Sequence, residues 1–242
     1  MLLTSSDQFQ KIKSKRLSAV QGCAARFSCR KSCSVSVVLG LLIGLALSGS
    51  PLWAAEFADY DFSRWSQEVT ECDLQASHGR DPGHVAPPVT SEGMDKEAAI
   101  KACHEAVAAD PENPRLNYQL GRAYGYSGRG EEAMPYRNKA LEADYPQSLF
   151  VIGYLYLNGQ TIDQDTCKAA DLWVRGAHYR RLAALVSLPR HYMRGDFAAC
   201  DLELSAADLR DYLNEAKQQS SDYYVGMLTN DLLAEVDRRY PE

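Results

Sequence analysis

Leu120-Gly121-Arg122-Ala123-Tyr124 is a short phrase that recurs along the second half of this chain. It returns as Ile152-Gly153-Tyr154-Leu155-Tyr156 and again as Leu188-Pro189-Arg190-His191-Tyr192. The copies begin 32 and 36 residues apart, and each closing tyrosine is followed within four residues by a glycine, at positions 128, 159 and 195. A phrase that returns at a nearly constant interval is the sequence signature of a repeat architecture.

A second phrase lies between the copies of the first. It consists of a small residue, an aromatic residue three positions later and an alanine four positions after that, as in Ala133, Tyr136 and Ala140. Such positions share one face of an α-helix. Two helices and a glycine turn in each period predict an all-α chain, an α-α superhelix built as a short solenoid of helical hairpins. The predicted repeat core consists of Leu120, Gly121, Tyr124, Ala133, Ala140, Ile152, Gly153, Tyr156, Ala170, Trp173, Ala177, Leu188 and Tyr192.

These motifs carry a family resemblance over roughly residues 95 to 230. Leu-Gly-x-x-Tyr, with Ala133 and Ala140 downstream, resembles the tetratricopeptide repeat, and the segment 159–165 followed by Ala170-x-x-Trp173 is similar to the Sel1-like repeat. The chain departs from the family patterns at three positions. Pro189 replaces a glycine, Thr161 replaces the second glycine of the loop, and Arg137 occupies a position that is usually aromatic in tetratricopeptide repeats.

The first 55 residues have the organisation of a secretory signal peptide. Seven of the 26 Lys and Arg residues precede Ser32, no charged residue lies between Ser32 and Ala55, and the apolar run Val37–Leu47 is followed by Ser-Gly-Ser-Pro. This order predicts a signal peptide cleaved after Ala54 or Ala55. An uncleaved membrane anchor is the alternative, because 24 uncharged residues are enough to span about 30 Å of hydrocarbon. Both alternatives export the repeats.

Four cysteines, Cys72, Cys103, Cys167 and Cys200, follow this segment, while Cys23, Cys29 and Cys33 lie within it. An even number suits a disulfide-bonded exported protein. Three pairings are open, and we favour Cys72–Cys103 with Cys167–Cys200; four reduced core cysteines are the alternative. Each favoured bond closes a loop of about 30 residues.

The rest of the chain divides into an extension and the repeats. Residues 56–94 are predicted to form an irregular N-terminal extension with a short amphipathic helix over Phe57–Trp65, because prolines and glycines break its second half. Residues 95–242 are predicted to form the repeats. Their helices are expected at 96–109, 115–127, 130–143, 146–158, 164–179, 182–194, 205–218 and 221–238, the last of them capping the open end of the core.

Charge and motifs exclude several classes of function. Residues after position 55 hold 19 basic and 31 acidic residues, a net charge of −12, so binding to nucleic acid is disfavoured. His78 and His84 with Cys72 match no strong zinc spacing. The sequence contains no phosphate loop, nucleophile elbow or paired-histidine motif. We therefore expect no enzyme activity, no cofactor and no metal.

The tetratricopeptide resemblance implies a binding face on the first helix of each hairpin. Carried over by register, this predicted binding face consists of Tyr118, Arg122, Tyr126, Phe150, Tyr154, Asn158, Arg190 and Arg194. Its aromatic side chains offer rigid contact area, and its arginines can hold carboxylates or backbone carbonyls. Alternatively, these arginines pair with neighbouring acidic residues. The sequence leaves open whether the groove is empty, filled by residues 56–94 or shared between subunits.

The sequence therefore predicts an exported, periplasmic helical-repeat protein whose partner is another protein or peptide. The Sel1-like resemblance implies a scaffold or regulator in the bacterial cell envelope. A rival from the same family is a secreted β-lactam-binding or β-lactam-hydrolysing enzyme, but that type has cysteines about eight residues apart, a spacing that this chain lacks. A third hypothesis is an envelope assembly factor that stays attached to the membrane through residues 1–55.

Overall fold

The computed structural model describes residues 55–241 of the chain, and the predicted signal peptide lies, except for Ala55, outside the described residues. Within that range the chain folds into helices joined by short connections. They are α1 (Glu71–Ala76), α2 (Lys96–Ala109), α3 (Pro114–Tyr126), α4 (Gly130–Glu142), α5 (Pro146–Asn158), α6 (Thr166–His178), α7 (Leu182–Arg194), α8 (Ala206–Gln219) and α9 (Tyr223–Arg239).

The helices form a row of hairpins. Each packs against the helices that precede and follow it in the chain, and α9 contacts both α7 and α8 at the end of the row. Short connections of this kind place neighbouring helices antiparallel. The prediction of an all-α superhelix is confirmed. The observed ends of α2 to α9 agree with the predicted ends to within two residues.

Local sequence signals fix where these helices begin and end. Pro114 and Pro146 occupy the first turns of α3 and α5, where the missing N–H would have no helical acceptor. Gly159 and Gly195 end α5 and α7 with φ of 63° and 83°, a left-handed conformation that glycine adopts without steric cost. Ser205 forms a capping box with Asp208 at the start of α8.

Most of the predicted repeat core is enclosed. Eleven of its thirteen residues are buried, and Tyr156 and Tyr192 are partly buried. Trp173 is the largest fully buried side chain among the described residues. Its indole N–H donates to the Phe150 carbonyl at 3.1 Å, so the ring is buried without leaving its polar atom unpaired.

The residue that faces the repeat glycine differs between hairpin one (α3–α4) and hairpin two (α5–α6). A Cβ atom on Gly121 would lie 2.8 Å from Cγ of Arg137, and one on Gly153 would lie 2.5 Å from Nε1 of Trp173. Arg137 therefore occupies in hairpin one the place that Trp173 occupies in hairpin two.

This correspondence shifts the match between the two hairpins by one residue. When the alanines of the second phrase are matched, Tyr136 is equivalent to Trp173, whereas in the structure Arg137 is its equivalent. In the structure the Tyr136 ring meets the ring of His104 in α2 edge-on, with centroids 5.6 Å apart, and stacks on Tyr124 of α3, with centroids 5.8 Å apart. Tyr136 and Arg137 therefore lie on two different faces of α4, one against His104 and Tyr124 and the other against Gly121.

The extension is more ordered than the sequence suggested. A helix that was not predicted, α1, is capped at its start by Thr70, whose side chain forms a capping box with Asp73. The helix expected over Phe57–Trp65 is reduced to a single 3-10 turn, Phe62–Arg64. Proline and glycine between residues 79 and 88 hold the rest in turns.

Residues 55–66, the edge segment, run past the connections between hairpins. The Ala55 N–H donates to Asp208 at 3.0 Å, Ala58 N–H donates to the His178 carbonyl, and the Tyr60 hydroxyl donates to the Ala143 carbonyl. These acceptors belong to the start of α8 and the ends of α6 and α4. In a solenoid each repeat otherwise contacts only its neighbours, so the edge segment adds contacts that join distant hairpins.

Candidate functional site

Two disulfides anchor the ends of the repeat row. Cys72–Cys103 joins α1 to α2 and is buried, whereas Cys167–Cys200 joins the first turn of α6 to the segment before α8 and lies nearer the surface. Disulfides are typical of an extracellular or periplasmic location. The bonded cysteines are 31 and 33 residues apart, so neither bond has the spacing of about eight residues given above for the rival β-lactam type. Within residues 55–241, no helix combines the length and apolar character needed to cross a membrane.

The extension covers the first part of the predicted binding face. Arg122 is only 6% exposed, and its guanidinium donates to the carbonyls of Ala76 at 2.9 Å and Val89 at 2.6 Å. Tyr118 is 3% exposed, and its hydroxyl accepts a hydrogen bond from Gln147 at 3.1 Å. The prediction that these two side chains are presented to a partner is corrected in this respect, because the chain's own extension lies over them.

A buried ion pair holds α1 against α3. Nε of Arg115 lies 3.0 Å from Oδ1 of Asp73, and both side chains are almost wholly buried. Gln119 donates to the same carboxylate at 2.9 Å. The sequence analysis missed this pair. Thr70-x-x-Asp73 is a readable capping signal for α1, but nothing local to either segment links Asp73 to α3.

A second buried network joins the extension to hairpin two. The Asp81 carboxylate accepts hydrogen bonds from the Tyr145 hydroxyl at 2.8 Å and from Gly83 N–H at 3.0 Å. Burial nevertheless raises the pKa of Asp81 to about 6. Burial, and then the positive charge of Arg122, lower the pKa of His78 to about 4. The extension therefore brings two groups with oppositely shifted pKa values onto the predicted binding face.

Beyond the extension, this face remains open as a cavity of about 340 Å³ between α3, α4 and α5. Tyr126 and Tyr154 stand at its rim, 46% and 45% exposed. Five of the eight residues of the predicted binding face line it, namely Tyr118, Arg122, Tyr126, Phe150 and Tyr154. Among the described residues, no aspartate or glutamate lines it.

The other three predicted residues lie elsewhere. Asn158 is exposed, and its amide donates to the Tyr154 carbonyl of its own helix at 2.8 Å. Arg190 lines a separate cavity of about 200 Å³ near Arg80. Arg194 lies 3.6 Å from the carboxylate of Asp196. The hypothesis that arginines gather in one groove is corrected, because Arg122, Arg190 and Arg194 each have a different environment.

The sequence analysis also missed the arginine that is central to the open cavity. Arg137 of α4 is 9% exposed and lines the cavity. Among the described residues, no hydrogen bond or ion pair engages its guanidinium, and burial lowers its pKa. Gly125 provides the space for it, since a Cβ there would overlap the guanidinium. The signal was present as a departure from the tetratricopeptide pattern at position 137.

The histidines considered as metal ligands have other environments. His84 Nδ1 lies 2.6 Å from the Asp81 carbonyl, and Cys72 is occupied in its disulfide. In the part of the chain that the structure describes, no group of three His, Cys, Asp or Glu side chains is placed to hold a metal ion.

The chain is similar to a Sel1 repeat protein. The crystal structure of the Sel1 repeat protein from Oxalobacter formigenes shares 20% sequence identity with it and overlaps it with a TM-score of 0.44. The overlap covers 52% of this chain and 94% of that protein. No protein-family model matches the chain, and no curated protein matches it.

Proposed function

We infer that this is an exported helical-repeat protein that binds a peptide segment of another protein, as a scaffold or regulator in the cell envelope. The observation that carries this proposal is the open cavity between hairpins one and two. It combines exposed tyrosines at the rim with a buried arginine at the base. Rigid aromatic side chains and arginine are the residues that most often dominate binding energy at protein interfaces.

The rim of the cavity carries backbone strain. Thr161 adopts φ of 68° in the loop after α5, a left-handed conformation that is unfavourable for a β-branched residue. Its side chain lies against Gly130 at the start of α4. Strained residues concentrate at binding and catalytic sites, and this one supports a functional role for the cavity that it borders.

The extension supports a peptide as the ligand. Residues 76–89 already lie across the same face, where Arg122 holds two of their backbone carbonyls. The cavity continues this covered surface, since Tyr118 and Arg122 lie under the extension and also line the opening. A segment of a partner would extend an interaction that the protein already makes with itself.

Export is supported by the two disulfides, which persist in oxidising compartments. The basic and apolar composition of residues 1–55 supports the same location. Periplasmic or extracellular residence limits the partner to envelope or secreted proteins.

Site-specific photocrosslinking in exporting cells tests the proposal. A benzophenone amino acid replaces Tyr154 at the cavity rim or, as a control, the exposed Met227 of α9. We expect a discrete crosslinked protein from position 154 that position 227 does not give. Identical crosslinked products from both positions, or none from position 154, would contradict binding at this cavity.

A further inference from the structure

Four arginines are buried within residues 55–241, and three of them have hydrogen-bond acceptors. Arg115 has Asp73, Arg122 has the carbonyls of the extension, and Arg181 has the side-chain oxygen of Gln147 at 2.6 Å. Arg137 has no acceptor among the described residues, although the residue is only 9% exposed. Its guanidinium nitrogens are not among the fully enclosed polar atoms, so the cation opens onto the cavity, where a ligand can supply the acceptors that the described residues do not.

The surroundings of Arg137 direct its guanidinium toward the cavity. Its stem packs on Gly121, and its terminal nitrogens occupy the space left by Gly125. The two rim tyrosines, Tyr126 and Tyr154, flank the opening of the cavity. The guanidinium therefore lies at the base of a site that an incoming ligand can reach.

We propose that Arg137 binds a carboxylate of the peptide that occupies this cavity. The proposal rests on the proposed function and adds the chemistry by which the ligand is recognised. The carboxylate comes from a chain terminus or from an aspartate or glutamate side chain. Both present the same pair of oxygens to the planar guanidinium, which donates two parallel hydrogen bonds.

Charge complementarity selects a carboxylate over a neutral group. Arg122 and Arg137 both line the cavity, and within residues 55–241 no acidic residue does. Hairpin one already contains an example of this recognition, because Arg115 holds the carboxylate of Asp73 from the extension. Arg137 offers the same chemistry at a second place on the same hairpin.

The repeat pattern does not account for an arginine at position 137. Arg137 stands where tetratricopeptide repeats usually have an aromatic residue, and Trp173 fills the equivalent place in hairpin two. Hairpin two consequently has no arginine at this position.

Retention of degenerate peptides on the purified, oxidised protein tests the proposal. Four octapeptide pools are applied, with free or amidated C-termini and with or without aspartate and glutamate. The protein is used as wild type, as Arg137→Met, and as the control Arg175→Met, which removes an exposed arginine from α6. Retained peptides are quantified by mass spectrometry, and thermal unfolding establishes that each variant is folded.

We expect the wild type to retain peptides with a carboxylate at least about tenfold better than the amidated, acid-free pool. The pool with only a free terminus and the pool with only acidic side chains identify the source of the carboxylate. Arg137→Met should lose this preference, and Arg175→Met should keep it. Equal retention of all four pools overturns the role of Arg137 and leaves peptide binding intact. Retention of no pool by the wild type overturns both proposals.

Discussion

Hairpins one and two place different side chains against the glycine that recurs in the first helix of each hairpin. Trp173 packs on Gly153 and is fully buried, with its N–H bonded to the Phe150 carbonyl. Arg137 packs on Gly121, and among the described residues its guanidinium has no acceptor. Trp173 completes the packing of its hairpin, whereas Arg137 leaves a charged group in need of a ligand.

The difference shows how a repeat protein can acquire a site without changing its fold. Both glycines let the second helix of the hairpin approach the first, so the backbone arrangement does not depend on which side chain follows. An arginine stem can fill part of the space that an indole fills, while its charged end retains the capacity to bind. Hairpin two therefore gains stability at this position, and hairpin one gains the capacity to bind. Mutations at the two positions can measure this difference.

The largest expected effect comes from emptying the place that Trp173 fills. Trp173→Ala should lower the free energy of unfolding by about 4 kcal/mol, because it removes a buried ring and leaves a cavity. Urea unfolding of the oxidised protein measures this loss. Tyr154→Ala serves as the control, since Tyr154 is largely exposed, and it should change stability by less than about 1 kcal/mol. A similar loss in both variants would contradict the packing role of Trp173.

A second substitution, Asp73→Asn, leaves Arg115 of hairpin one without a carboxylate partner, as Arg137 is among the described residues. Because Arg115 is then buried without its negative partner, the substitution should cost about 3 kcal/mol. The control is Asp171→Asn, which removes an exposed partner of Arg175 and should cost less than about 1 kcal/mol. Urea unfolding at neutral pH compares them. Equal losses would show that burial does not govern the value of the Asp73 pair.

The third prediction concerns the pH at which the extension is held on the repeats. Burial raises the pKa of Asp81 from 3.8 to about 6 in the folded protein. Below pH 4 the carboxyl is protonated in both the folded and unfolded states. As the pH rises from about 4 to about 6, the unfolded chain releases this proton while the buried carboxyl of the folded protein keeps it, so stability is lost across this range. Asp81→Asn should therefore match the wild type near pH 4 and exceed its stability by about 2 to 3 kcal/mol at pH 7.

Urea unfolding at several pH values measures this difference. The lowered pKa of His78 acts in the opposite direction, because its stabilising contribution is lost as the pH falls from 6.5 toward 4. His78 is present in both proteins, so the comparison with Asp81→Asn isolates the carboxyl. Asp163→Asn, in an exposed loop, should leave the pH profile unchanged. A constant difference between Asp81→Asn and wild type across the range would exclude the proposed linkage.

The sequence predicted the helical fold well because its signals are local. Pro114 and Pro146 mark helix starts, Gly159 and Gly195 mark helix ends, and the hairpin period is visible without any long-range information. Of the three pairings open to the four cysteines, the structure contains the favoured one, Cys72–Cys103 with Cys167–Cys200. Each of these features depends on residues close to one another in the chain or on a simple count.

The site was harder to predict because it depends on contacts between distant segments. Burial of Arg122 follows from carbonyls more than thirty residues away in the extension, and the period of the repeats says nothing about them. Arg137 was visible only as a departure from a pattern. Its significance appeared when Gly125 was seen to make room for the guanidinium and no acceptor lay nearby among the described residues.

The smallest expected effect is a gain in stability, and it bears most directly on the contrast between the hairpins. Arg137→Met should raise the free energy of unfolding by about 1 kcal/mol, because methionine fills the packed part of the site without burying an unpaired charge. The control is Arg175→Met, which removes an arginine paired with Asp144 and Asp171 and should be neutral or slightly destabilising. Thermal and urea unfolding measure both variants. A loss of stability in Arg137→Met would mean that the arginine already has a favourable interaction within the folded chain, which would remove the reason to expect a ligand there. A gain would show that hairpin one retains a residue that reduces its stability, as expected where binding depends on that residue.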